Sequence, residues 1–281
     1  MQADADDASL AAFRDRFAGP RKTVTVVGPQ AYEELQSLVS RFDVDLEHEH
    51  LDVPESKGYL TVTQDDQFLG AVPAAAFDEL LDPGRATPWD AAARRSAFRE
   101  LTSILAGTGF RTTDRRHLLA VTRAFEDRAW RAGRGTLHVG FQSLSTFRTQ
   151  LPVYERLTER DGLDVFVYGH PDWESPDPSD ALHAPDALDR SDRSDALLAP
   201  DALDRSDRSD ATGTVGVTLR TAPGGELGSF WIVAFDGGGD DELACALLAE
   251  ERRPDEFDGA WTDDPGLVRE LVAYLDARYG G

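Results

Sequence analysis

The chain has 281 residues, 52 acidic and 29 basic, for a formal net charge of −23, and 41% of it is hydrophobic. That length and apolar share support one or two domains with a sizeable core. The acidity opposes general binding to nucleic acid or to anionic membranes, since both need a basic face, and the single cysteine, Cys245, excludes an internal disulfide and a cysteine-based zinc site.

Lysine occurs only at Lys22 and Lys57, and 35 of the acids are Asp. Such a charge strains a compact fold by self-repulsion in dilute buffer. At about 1 M salt the Debye length falls to about 3 Å and the strain becomes local, so the composition predicts a protein suited to molar salt. Apolar runs such as Phe230–Phe235 are far short of the roughly 20 residues of a membrane helix. Met1–Asp7 is acidic and lacks the features of a signal peptide, which predicts a soluble cytoplasmic protein.

The elements follow in chain order. Lys22–Gly28 is a β-branched, alternating strand. Pro29 suits a first helical position, with Tyr32, Leu35, Leu38 and Phe42 on one face. Asp45–Leu51 alternates, and Tyr59–Thr63 and Phe68–Val72 read as strands about the turn Gln64–Gln67. A short helix is expected at Ala74–Leu81, then long ones at Ala92–Ala106 and Thr113–Arg131, joined by Gly107–Thr112. Strand Thr136–Gln142, helix Ser143–Arg160 and strand Leu163–Tyr168 open the second half.

Two copies of a 15-residue unit then run from Ser179 to Arg208, differing only at His183 and Leu198. Their apolar content is Ala and Leu, too little to offset the entropy of ordering. Positions 172–212 therefore read as a disordered insert. Strands Val215–Arg220, Ser229–Phe235 and Ala244–Glu250 come next, and Asp264 and Pro265 start a final helix with Leu267, Leu271, Leu275 and Tyr279 in register.

The expected class is α/β, with α+β as the alternative. Two similar strand-helix-strand-strand-strand-helix halves, 22–82 and 136–279, are bridged by two long helices within 89–132 and preceded by an acidic segment and helix at 1–21. This repeat is a pattern of elements, without residue identity behind it.

Candidate chemistry is sparse. The turn Asp236–Glu242 (DGGGDDE) offers backbone donors, but its acids repel an anion. Held to magnesium through Asp240 and Asp241, it would suit a nucleotide-acting enzyme; a hairpin turn with solvated acids is the simpler reading. His48 and His50 share one face of a strand at a spacing suited to a metal, without an identifiable third ligand. No hydrolase motif is present. The joint Gly107–Thr112 is longer than a helix-turn-helix allows.

The richest stretch is Phe125–Ser145, where Arg128, Arg131 and Arg134 gather at a helix end and a strand ending in Phe141–Gln142 feeds a helix at Ser143. The arginines suit a helix C-terminus. The free donors beside Ser143 and Ser145 could receive a polar or anionic group, with Trp130 and Phe141 as walls. The candidate ligand site is Glu126, Trp130, Arg131, Arg134, Phe141, Gln142, Ser143 and Ser145; the residues name no cofactor.

Glu126–Arg131 (EDRAWR), Gly135–Gln142 (GTLHVGFQ) with Ser143 and Ser145, Tyr154, Asp164–Gly169 (DVFVYG), FWIVAFDGGGDD and CALLAEE together resemble the DICT sensory domain. That domain is named for diguanylate cyclases and two-component systems. The chain is most similar to its stand-alone haloarchaeal members, which also begin with a strand like KTVTVVG, and the resemblance runs from Leu10 to Tyr279 apart from the insert. It implies a signal-input module, proposed for light-linked or other sensing, that acts through a downstream signalling protein or kinase, or as a homodimer. A ligand-free protein–protein adaptor is the alternative.

Overall fold

In chain order the elements are α1 (Leu10–Phe17), β1 (Lys22–Gly28), β2 (Val44–His50), β3 (Tyr59–Gln64), β4 (Gln67–Pro73), β5 (Thr108–Asp114), α2 (Arg115–Ala132), β6 (Arg134–Ser143), α3 (Leu144–Leu157), β7 (Gly162–His170), β8 (Val217–Thr221), β9 (Phe230–Phe235), β10 (Cys245–Arg253), β11 (Glu256–Thr262) and α4 (Pro265–Tyr279). The computed structural model describes residues 8–29, 39–52, 58–73, 100, 102–172, 217–221 and 225–280. Most of the helix expected from Pro29, the helix Ala74–Leu81, all but the end of Ala92–Ala106, and the repeat insert after Asp172 lie outside them.

Local chemistry accounts for the element ends. Asp264 accepts from the backbone of Gly266 (2.7 Å) and Leu267 (3.2 Å) and so caps α4, with Pro265 at its first position. The β3–β4 hairpin turns on Asp65 and Asp66 with φ of 49° and 62°. Both residues of a tight primed turn need that left-handed conformation, which Asp tolerates.

Two sheets result. The large one has seven strands in the order β5-β11-β10-β9-β6-β7-β8; the small one has four, β2-β1-β3-β4. β9 runs through the middle and is buried at all six positions. Trp231, Val233 and Phe235 face a core shared with α2, α3 and the inner face of the small sheet. Phe230, Ile232 and Ala234 face a second core under α1 and α4. A strand buried on both faces reads as an unbroken apolar run, as FWIVAF does.

The expected repeat is present in the topology. β7-β6-β9-β10 has the same order as β2-β1-β3-β4. Directions also match: β1 is parallel to β2 and β6 to β7, while the β1–β3, β6–β9, β3–β4 and β9–β10 pairs are antiparallel. A short identity accompanies it, because β1 and β6 both lead into Val-Gly-X-Gln, at Val27–Gln30 and Val139–Gln142.

The bridge between the halves needs correcting. Thr108–Asp114 is a strand, not a joint between helices, and it pairs with β11, itself unforeseen. Arg41–Asp43 bonds to its other side through Asp43 N to Gly109 O (2.7 Å) and Arg111 N to Arg41 O (2.8 Å). The two sheets are thereby fastened at this edge. Lys22, 5% exposed, donates to the carbonyls of Ile104 (2.9 Å) and Ala106. Burial pulls its ammonium down to about 8, against the opposing charge of Asp263.

His138 on β6 lies in the opposite layer. It stacks on Phe166 at 4.9 Å, and its Nδ1 is 2.8 Å from the Tyr168 hydroxyl, which accepts from Arg220 at 2.8 Å. Arg220 in turn pairs with Asp276 on α4. With Arg220 donating to the phenol, Tyr168 is free to give its own proton to Nδ1, which leaves an N–H on Nε2, an atom without a partner. Burial lowers the imidazole from 6.5 to about 4, Asp276 opposing. Between those two pH values the unfolded chain binds the proton and the folded chain does not, so stability falls as pH drops from 6.5 towards 4, by about 3 kcal/mol. Urea titrations at pH 7 and pH 4 should show His138→Phe losing about 3 kcal/mol less than the wild type. Equal losses would mean that His138 is protonated in the fold.

Candidate functional site

β6 returns antiparallel to α2, and α3 returns antiparallel to β6, so the N-termini of both helices meet at the carboxyl end of β6. Ligands of open α/β sheets bind at such ends. Between the helices lies a depression with Leu119, Phe141 and Trp231 as its floor and Arg115, Thr146, Thr149 and Gln150 as its rim. Its enclosed part is about 20 Å³, room for one water, and its open mouth brings the space to about 320 Å³.

The floor belongs to an aromatic cluster. Phe141 is 5.4 Å from Phe147, 5.7 Å from Tyr154 at a right angle, and 6.4 Å from Trp231. Trp231 donates its indole N–H to Thr122 at 3.1 Å. Arg115 lies 5.9 Å from the ring centres of both Trp231 and Phe257, and bonds Asp255 at 3.0 Å. It is therefore a tethered cation at the mouth, with the positive ends of two helices behind it.

A buried polar chain runs inward from the rim. Gln150 accepts from Arg123, Arg123 pairs with Glu126, and Tyr154 donates to the other Glu126 oxygen at 2.5 Å. Glu126 is fully buried and the Arg123 side chain is 15% exposed. Burial, reinforced by the Glu126 carboxylate, holds the Tyr154 phenol well above its ordinary 10, so it stays protonated and donating.

The eight candidate residues fall into two groups. Phe141 lines the depression and Glu126 lies behind it. Gln142 turns to Glu251 on β10 at 3.0 Å. Ser143 caps α3, and Ser145 donates to Asp172 through its backbone (3.0 Å) and hydroxyl (2.5 Å). The donors expected to receive a ligand's anionic group thus hold a carboxylate of the chain itself. These bonds keep the Asp172 carboxyl below its ordinary range, the Ser145 hydroxyl contributing most.

Arg134 begins β6, seven residues before Phe141 and about 23 Å from it at the usual strand rise, while Trp130 and Arg131 end α2, Trp130 one helical turn beyond Glu126. The Arg160 guanidinium stacks over Trp130 at 3.9 Å, Arg131 pairs with Asp127 at 3.0 Å, and Arg134 is exposed. Cations here suit the helix C-termini, where the last carbonyls point outward. Arg115, Leu119, Arg123, Thr146, Thr149, Gln150 and Trp231 escaped the sequence reading. The signal was spacing: positions 115, 119 and 123, like 146 and 150, repeat every four residues on one helix face.

The acidic turn is occupied by the fold. Asp236 accepts from Thr136 N (3.0 Å), the Thr136 hydroxyl (2.9 Å) and Gly238 N (2.8 Å). Gly238 has φ 62°, and a Cβ there would meet the Arg134 carbonyl at 2.4 Å. Asp240 caps Glu242 N at 3.1 Å and Asp241 pairs with Arg269 at 2.9 Å. Among the described residues no three His, Cys, Asp or Glu side chains are grouped to hold a metal, and His48 and His50 stand exposed on edge strand β2. No described helix is long and apolar enough to cross a membrane.

Comparison with known proteins agrees with part of this picture. No curated protein matches the chain. A crystal structure of polyphosphate kinase from Porphyromonas gingivalis aligns with 95% of this chain and 47% of its own, at 12% identity and a TM-score of 0.32. The chain thus spans about half the length of that enzyme, and so slight a likeness carries nothing about fold or activity. The model of the DICT family, described as a sensory domain in diguanylate cyclases and two-component systems, matches residues 96–252. That span is more than half of the sequence and holds α2, β6, α3 and the Phe141–Trp231 floor, so the chain belongs to the DICT family of sensory domains.

Proposed function

We propose that this chain is a non-catalytic signal-input module that binds a small ligand in the depression over Phe141 and Trp231 and passes the signal to a partner protein, such as a kinase. The observation that carries the reading is the pairing of an aromatic floor with a rim residue, Gln150, wired to the buried Arg123–Glu126–Tyr154 chain. The enclosed space holds only a water, so a ligand enters by moving the rim. Displacing Gln150 frees Arg123 and changes the balance at Glu126, between α2 and α3. Binding that favours this rearranged state shifts the population towards it. In this scheme Phe141 contacts the ligand, Glu126 relays, and Gln142, Ser143 and Ser145 flank the mouth. Trp130, Arg131 and Arg134 do not touch it.

Two measurements test the scheme. Glu126→Gln leaves Arg123 charged without a counter-charge and should lower the unfolding free energy by about 3–5 kcal/mol, while Tyr154→Phe should cost about 1–2 kcal/mol, both read by urea denaturation. The protein purified from its host should carry a small molecule detectable by absorption and by mass after denaturation. Thr149→Trp, which fills the mouth, should lose that molecule with the fold intact; retention at wild-type stoichiometry would place the ligand elsewhere.

A further inference from the structure

Five large apolar side chains are exposed among the described residues: Phe68 (65%), Leu69 (42%), Leu219 (40%), Leu51 (38%) and Tyr59 (37%). Phe68, Leu69 and Tyr59 lie on the small sheet, and Leu51 directly follows its edge strand β2. The two most exposed are adjacent on β4, the last strand of the order β2-β1-β3-β4. The internal repeat shows what this place is built to accept. β10 is the counterpart of β4, and its outer edge is taken by β11, antiparallel, from Ala246–Thr262 to Arg253–Glu256. Among the described residues no strand takes the outer edge of β4.

β4 is also chemically unusual for an edge. Its sequence, QFLGAVP, has no charge in a chain of net charge −23. Natural sheet edges are commonly guarded by charged side chains. Here the guard is slight: an irregular register opposite Val62–Thr63, and Pro73 at the end.

We propose that β4 is a self-association edge, where a second copy of this chain pairs its own β4 antiparallel about a twofold axis near Gly70. Charge selects the occupant. Two copies of so acidic a protein repel each other over most of their surfaces, and on β4 neither brings a carboxylate. It also selects the direction, because the strand is preceded by Asp65–Asp66 and followed in sequence by three alanines. Antiparallel pairing sets acid near alanine; parallel pairing sets acid against acid. The two four-stranded sheets would become one of eight with β2 at both ends, and the twofold contact occupies β4 in both copies, so it cannot repeat through that edge.

Sedimentation equilibrium of the full chain in about 1 M KCl, where long-range repulsion is screened, decides the matter. The wild type should have twice the chain mass. Leu69→Lys, at a side chain already 42% exposed, should be monomeric with an unchanged far-UV circular dichroism spectrum. Leu219→Lys, on the edge of the large sheet, should remain dimeric. A monomeric wild type, a Leu69→Lys dimer as tight as the wild type, or dissociation by Leu219→Lys in place of Leu69→Lys would each overturn the proposal.

Discussion

A strand that is apolar on both sides can exist only if both of its faces are covered, and β9 sets that condition for the whole molecule. Trp231, Val233 and Phe235 require one layer and Phe230, Ile232 and Ala234 another. The first is met by α2, α3 and the small sheet, the second by α1 and α4. Each face of three such residues is worth several kcal/mol of burial, at roughly 1.5–3 kcal/mol per large side chain. Polar groups within these layers must then find partners inside the protein, and most do. Lys22 uses two carbonyls, Arg128 uses Asp263 at 3.0 Å, and Glu126 uses Arg123 and Tyr154. Among the described residues the Nε2 of His138 and the hydroxyls of Thr108 and Thr113 are left over.

The candidate site follows from the same layering. At the carboxyl end of β6 two helices, α2 and α3, begin over the sheet, and the depression lies there. Its floor is core and its rim is surface, so one residue, Gln150, can be wetted on one side and bonded to a buried arginine on the other. An ion pair under such a rim contributes little net stability. It does couple the rim to the interior, because any change at Gln150 alters how a buried charge is satisfied. A purely apolar layer here would be easier to stabilise and would carry no such coupling.

Much of the architecture was legible in the sequence because period and burial agree. FWIVAF, KTVTVVG and the Asp264–Pro265 cap read directly. β5 and β11 did not, for a physical reason. TGFRTTD has one large apolar residue, and EFDGAWT interleaves Asp and Gly, both poor strand formers alone. Their pairing with each other, and the Arg41–Asp43 backbone on the far side of β5, make them strands; no local signal does. The site was half legible. Phe141, Glu126 and the cap at Ser143 were found because they adjoin one another in sequence. Trp130 lies one turn beyond Glu126 on α2, yet its ring turns to Arg160 and not to the depression. Gln150 and Trp231 were missed because they are brought in by a helix face and by a distant strand. Asp172 was missed too, since nothing in sequence says that the carboxylate of a residue 27 positions on will accept from the backbone and hydroxyl of Ser145.

The repeat also shows how the two halves differ. Both sheets share an order and a Val-Gly-X-Gln exit from their first strand. In the large copy the glycine is fixed by packing, since a Cβ on Gly140 would lie 2.8 Å from Ile232, and the residue after it is Phe141, which turns into the aromatic floor. In the small copy that next residue is Pro29, which has no aromatic surface and no N–H to offer. The large copy also gained β11 and β5 beyond β10, closing its edge and burying both faces. The small copy kept its open β4. Two copies of one strand order therefore differ in their surroundings: aromatic side chains and extra strands give the large copy the depression and a closed edge, while among the described residues the small copy keeps an uncharged edge on an acidic protein.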